Sequence, residues 1–172
     1  MKLTPQTRFL KAESDAIRVD REARTVEFPF SSETPVDRMF GTEVLSHAKG
    51  AARLDRLNDG APLLFNHNMD DVIGVVESAR MGEDKRAYAK VRFAKTARAD
   101  EVLSMVEDDV LRNVSFMYRI HEYEQAPKSA EFRVTDWEPL EVSIVTVPAD
   151  NTVGIGRAIA TEEIEARNVA SQ

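Results

Sequence analysis

Apolar and polar residues alternate most regularly in RAYAKVRFA, where Ala87, Ala89, Val91 and Phe93 interleave with Tyr88, Lys90 and Arg92. A period of two is that of a half-buried strand. NVSFMYRI has the same period, with Val114, Phe116, Tyr118 and Ile120 on one face and Ser115, Met117, Arg119 and His121 on the other. Shorter apolar runs read as strands as well: AIRVD and TVEFPF early in the chain, PLLFN and VIGVVESARM in the middle, AEFRVTDWEP and LEVSIVTVP late. Pro29 cannot donate to a ladder and so places the second of these at a sheet edge, and Pro148 ends the last.

Helical spacing is concentrated in ARADEVLSMVED, Ala97 to Asp108. Ala99, Val102, Leu103 and Val106 form one apolar stripe, while Arg98, Asp100, Glu101 and Glu107 face away. The segment SSETPVDRMFGTEVLSHAKGAARLDRLNDG reads as a loop that turns helical in its second half, where Ala52, Leu54 and Leu57 fall near helical spacing and Asp59-Gly60 ends the element. Six or seven strands around one solid helix predict a mostly β (α+β) fold. Closing the sheet removes exposed edges, so a small, closed, largely antiparallel β-barrel with peripheral helices is the expected architecture. Residues 1–158 form one domain in this reading, and the polar, Ala/Glu-rich stretch 159–172 is a helical or disordered tail or linker.

Length agrees with a single core, since 172 residues bury one well and two poorly. An apolar share of 42% with 31% charged residues is that of an ordinary globular protein. A net charge of −7 without a basic stripe argues against direct nucleic-acid binding. The absence of cysteine removes disulfides, thiolate metal sites and cysteine nucleophiles together. No run approaches the roughly 18 apolar residues of a membrane span, and MKLTPQTRFLKAESD lacks the apolar centre of a signal peptide.

Chemistry narrows to a few positions. His47 and His121 read as solvated polar residues, whereas His67, at the end of the apolar segment APLLFNHN, can reach from a rigid sheet into a pocket. A serine hydroxyl needs a base, and an imidazole held by a third polar group suits that role. Ser115 and Ser143 are the serines inside apolar strands; either has an ordinary explanation as a hydroxyl satisfied by backbone. Glu141 interrupts an otherwise buried strand, where a carboxylate is costly unless paired. Arg119 or Arg112 offers a structural partner for it, and a catalytic imidazole a functional one. His67 with Asp70 and Asp71 could hold a metal ion, but a second histidine at short helical spacing is missing.

The order GAPLLFNHN, LRNVSFMYRI, WEPLEVSIVTVPAD, spread over roughly Val36 to Ala158, resembles the prohead proteases of tailed phages, capsid-maturation serine peptidases akin to herpesvirus assemblins. The resemblance implies His67 as general base, Ser115 as nucleophile and Glu141 as third member, with no metal and no organic cofactor. It implies a serine endopeptidase that cuts scaffold or scaffold-like segments of the capsid protein, and itself, inside the procapsid in the host cytoplasm. It also leaves room for a homodimer or higher oligomer, with no direct contact to nucleic acid or membrane. Two positions depart from the family pattern: Asn68 stands where aspartate is usual, and Met117 stands where a glycine follows the serine by two residues. Met117 favours the alternative implication, a catalytically inactive β-barrel module that binds scaffold during capsid assembly.

Overall fold

The computed structural model describes residues 5–11 and 17–147. The expected tail 159–172 and the strand stop at Pro148 lie outside them. Two long strands, β9 (Asn113–Gln125) and β10 (Glu131–Val145), pair antiparallel and form the spine of a ten-stranded sheet. Outside β9 lies β1 (Gln6–Lys11), a strand the sequence pattern did not suggest. Beyond β10 the sheet continues through β6 (Pro62–Phe65), β7 (Asn68–Met81), β8 (Arg86–Phe93), β3 (Thr25–Ser32) and β2 (Arg18–Asp20). The expected strands AEFRVTDWEP and LEVSIVTVP are one element, β10, whose register slips between Val134 and Asp136, between Asp136 and Trp137 and between Pro139 and Glu141. Irregularities of this kind let a strand absorb an internal proline and bend.

The sheet curls around its core without closing, which corrects the expected closed barrel. Among the described residues its pairings run from β1 to β2 and do not join these two ends. Curling is visible in Phe30 of β3, which meets Phe116 of β9 edge-on at 5.2 Å across the interior. The end strand β2 is only three residues long and exposed throughout, with Arg18 and Asp20 on it. Short, charged edge strands resist pairing, so this edge is protected without closure. Pro29 fits the same logic: β2 covers β3 only from Thr25 to Glu27, and the register with β8 slips between Pro29 and Ser31.

The segment expected to be loop and helix holds two further strands, β4 (Val36–Arg38) and β5 (Gly41–Leu45). β5 runs parallel to β10, and only a single helical turn, α1 (Asp55–Asn58), follows. Gly41 opens β5 opposite Arg38 of β4, with φ 136° and Ala130 O lying 2.3 Å from where a Cβ would stand. The helix α2 (Ala97–Glu107) buries Ala99, Val102, Leu103 and Val106, the stripe read from spacing, and Thr96 caps it by accepting from the Ala99 N–H at 3.1 Å. His47 is buried at 4% exposure rather than solvated. It meets Leu45 O through Nδ1 at 2.9 Å and Ser31 Oγ through Nε2 at 3.0 Å.

Candidate active site

The apolar segment that ends in His67 supplies one arm and the turn of a hairpin. β6 and β7 are joined by Asn66 and His67, with Phe65 paired to Asn68 and φ values of 52° and 58° at the two turn residues. Two-residue turns with both φ positive match the twist of antiparallel strands, and Asn and His tolerate that region better than most residues. Asn66 fastens the turn to the end of β10: its N–H donates to Ile144 O at 2.9 Å and its Oδ1 accepts from the Thr146 N–H at 3.0 Å. The imidazole of His67 is thereby held over β9 and β10, and is 21% exposed.

Beneath it, His67 Nδ1 lies 2.5 Å from Glu141 Oε1 and Nε2 lies 2.7 Å from Ser115 Oγ. Since a carboxylate accepts only, Nδ1 carries the proton toward Glu141, and Nε2 faces the hydroxyl. Glu141 is 2% exposed. Besides the imidazole it receives the Met117 N–H at Oε1, 3.1 Å, and the Ser143 hydroxyl at Oε2, 2.6 Å. Three donors offset the cost of taking this carboxylate out of water. The arginines that could have paired with it are engaged elsewhere, Arg119 with Glu138 at 3.5 Å and Arg112 with Asp109 at 3.4 Å.

The structure therefore brings together the three residues singled out in the sequence and separates them from the others. His47 is buried away from the site, and His121 lies 3.8 Å from Glu138. Asp71 pairs with Arg98 at 3.0 Å, and no group of three metal-ligating side chains exists among the described residues. Ser143 has a place that pattern reading did not give it: its Oγ accepts the His67 N–H at 3.1 Å while donating to Glu141. The signal was present in the spacing, because residues two apart on a strand share a face. Met117 sits in ordinary strand backbone outside the positive-φ region and uses its N–H on Glu141, so position 117 does not demand glycine here. Ser115 is 1% exposed, and its hydroxyl also lies 2.7 Å from the backbone carbonyl of Arg8 on β1.

Such an arrangement can activate a hydroxyl for attack on an acyl carbon, with the imidazole taking the proton and the carboxylate stabilising the resulting cation. The family model of the caudovirus prohead serine protease matches residues 26–168. The chain belongs to this family. Two relatives of the chain are named as capsid proteins. It is 46% identical over 134 residues to a major capsid protein of Halomonas phage phiHAP-1, covering 74% of this chain and 22% of the relative. It is 29% identical over 119 residues to a capsid polyprotein of Pseudomonas phage PAJU2, covering 64% and 18%. The chain thus spans about a fifth of the length of these relatives. Among solved structures, the bacteriophage T4 capsid assembly protease matches with a TM-score of 0.52 at 12% identity, over 82% of this chain and 98% of that one. At that identity the likeness is one of fold.

Proposed function

We propose that this prohead protease is a Ser-His-Glu endopeptidase that cleaves scaffold-like segments of a capsid protein inside the procapsid. The observation that carries this reading is the unbroken line Glu141–His67–Ser115, with heavy-atom separations of 2.5 and 2.7 Å. Ser115 Oγ attacks the peptide carbonyl while His67 Nε2 takes its proton. Glu141 holds the imidazole in the tautomer with Nδ1 protonated and stabilises the imidazolium. The amine leaves with the proton returned from Nε2, and water then releases the acyl group by the same steps. The capsid names of the longer relatives favour a protease segment joined to, or acting on, a capsid protein.

The deciding experiment co-expresses the chain with its capsid protein as wild type and as Ser115→Ala, and follows processing on a gel. Processing by the wild type and none by Ser115→Ala is expected; processing that persists in the alanine variant removes Ser115 from the mechanism. A second reading, an inactive assembly module, draws on the burial of Ser115 beneath β1. It predicts capsid binding without cleavage by the wild type.

A further inference from the structure

The nucleophile strand β9 has two sides. One is filled by β10; the other, beside Ser115, is filled by β1. An extended peptide that places a carbonyl at Ser115 with main-chain pairing to β9 must therefore lie where β1 lies, as in strand-addition recognition. β1 is antiparallel to β9, with Phe9 opposite Ser115 and Arg8 opposite Phe116, and it is the Arg8 carbonyl that reaches Ser115 Oγ. The side chain of that same residue enters a formed seat. Arg8 Nε donates to Glu43 Oε1 at 2.9 Å, Nη2 to Glu43 O at 2.8 Å and Nη1 to Thr34 O at 3.0 Å. Arg8 is 5% exposed and Glu43 fully buried.

The seat belongs to the body of the molecule and not to β1. Arg38 Nη2 lies 3.4 Å from Glu43 Oε1 and 2.9 Å from the Tyr118 hydroxyl, which itself donates to Glu43 Oε1. Burial, and then the neighbouring carboxylate, push the Tyr118 phenol upward, so it stays a donor. With Arg38 in place, Glu43 keeps a cation when Arg8 leaves, which avoids the cost of an unpaired buried charge. Among the described residues Glu43 Oε2 has no hydrogen-bond partner, which leaves a spare acceptor in the seat. β1 also precedes residues 26–168, the part shared with the family.

We infer that the groove occupied by β1 is the substrate-strand site, and that the Glu43 seat selects an arginine whose carbonyl carbon Ser115 attacks. This rests on Ser115 being the nucleophile, as proposed above. In the present arrangement Arg8 fills the site from within the chain. The hydroxyl has one proton and two acceptors 2.7 Å away, the Arg8 carbonyl and His67 Nε2. Donated to the carbonyl oxygen, that proton is withheld from the base, and Oγ faces the oxygen instead of the carbon. Once a substrate replaces β1, Oγ bonds to the arginyl carbonyl carbon, the C–N bond to the next residue breaks, and the amine leaves with the proton from His67. Water then frees the arginine carboxylate.

The test uses the full chain and two internally quenched peptides. One has the sequence of residues 5–12, PQTRFLKA, and the other has glutamine in place of its arginine. A fluorophosphonate probe, which carries no arginine, reads Ser115 reactivity without recognition of a substrate by the seat. Cleavage after the arginine, seen by mass spectrometry, and about tenfold or more faster than for the glutamine peptide is expected, since a site built for hydrogen bonds discriminates strongly. Glu43→Gln should narrow that ratio. Arg8→Gln should speed fluorophosphonate labelling about tenfold, as expected if an occupant holding the site nine-tenths of the time is released. Equal rates on the two peptides, with Ser115 labelled, overturn the arginine seat and leave the proposed function standing. Labelling unchanged by Arg8→Gln overturns occupancy by β1. No labelling and no cleavage by either form overturns the proposed function, and this inference with it.

Discussion

Ser143 shows how much a single hydroxyl can organise. It bridges the carboxylate of Glu141 and the backbone N–H of His67, so it links β10 to the turn that carries the imidazole. Ser143→Ala leaves a buried carboxylate oxygen and an N–H short of a partner, a loss of about 1–3 kcal/mol. If its role is to position, kcat should fall about tenfold to a hundredfold with little change in KM, and Ser143→Thr should restore part of it. An equal loss in Ser143→Ala and Ser143→Thr, or a change confined to KM, would contradict that role. Glu141→Gln bears on the same line of contacts. It removes the charge while keeping the shape, and kcat/KM should drop by about 10³–10⁴, the scale seen when an imidazole loses its orienting carboxylate. At this scale the sequence was informative about residue types. The carboxylate in an apolar strand, the serine on an alternating face and the histidine at a strand end were all legible; that Glu141 meets His67 and not Arg119 or Arg112 was implied by the family resemblance and not by the residue pattern. Choosing among partners depends on distances between segments far apart in the chain.

At the scale of elements, the hairpin of β6 and β7 depends on close backbone approach. Gly74 pairs with Leu63 on one side and Phe93 on the other, and a Cβ there would stand 2.3 Å from Arg92 O. The obstacle is backbone, which cannot rotate away. Gly74→Ala should therefore cost about 1–3 kcal/mol as overpacking, lowering the melting temperature by about 2–4 °C per kcal/mol in a chain of this size. A melt indistinguishable from wild type would show that β8 yields freely. The elements with regular periods, β8, β9 and α2, were readable because burial of one face writes itself into the order of residues. β4 and β5 escaped because they are short and their pattern is broken by Gly41 and the buried Glu43. β1 escaped for a related reason: what holds Arg8 is a carboxylate 35 positions away.

For the whole molecule, His47 sets an acid limit. Burial lowers its pKa, outweighing the raising effect of its bond to Leu45 O. Unfolded, the imidazole titrates near about 6.5. Above that pH both states are neutral and His47 adds no pH dependence; as pH falls below it, the unfolded chain binds a proton that the folded chain resists, so stability falls. The melting temperature should decline between about pH 7 and pH 5, and the decline should be shallower in His47→Gln. An identical slope in the two proteins would assign the acid sensitivity elsewhere.

The sequence alone determined which stretches are strands with a buried face, where the long helix lies, and which histidine, serines and carboxylate stand out as candidates for chemistry. Those properties are written locally, in spacing and in residue chemistry. The tertiary structure decided that the sheet stays open, because a three-residue charged edge does not zip to β1. It also decided that Ser143 ties Glu141 to His67 and that the Arg8 carbonyl lies against Ser115. These follow from which strands become neighbours, and neighbours are chosen by the burial of the whole core.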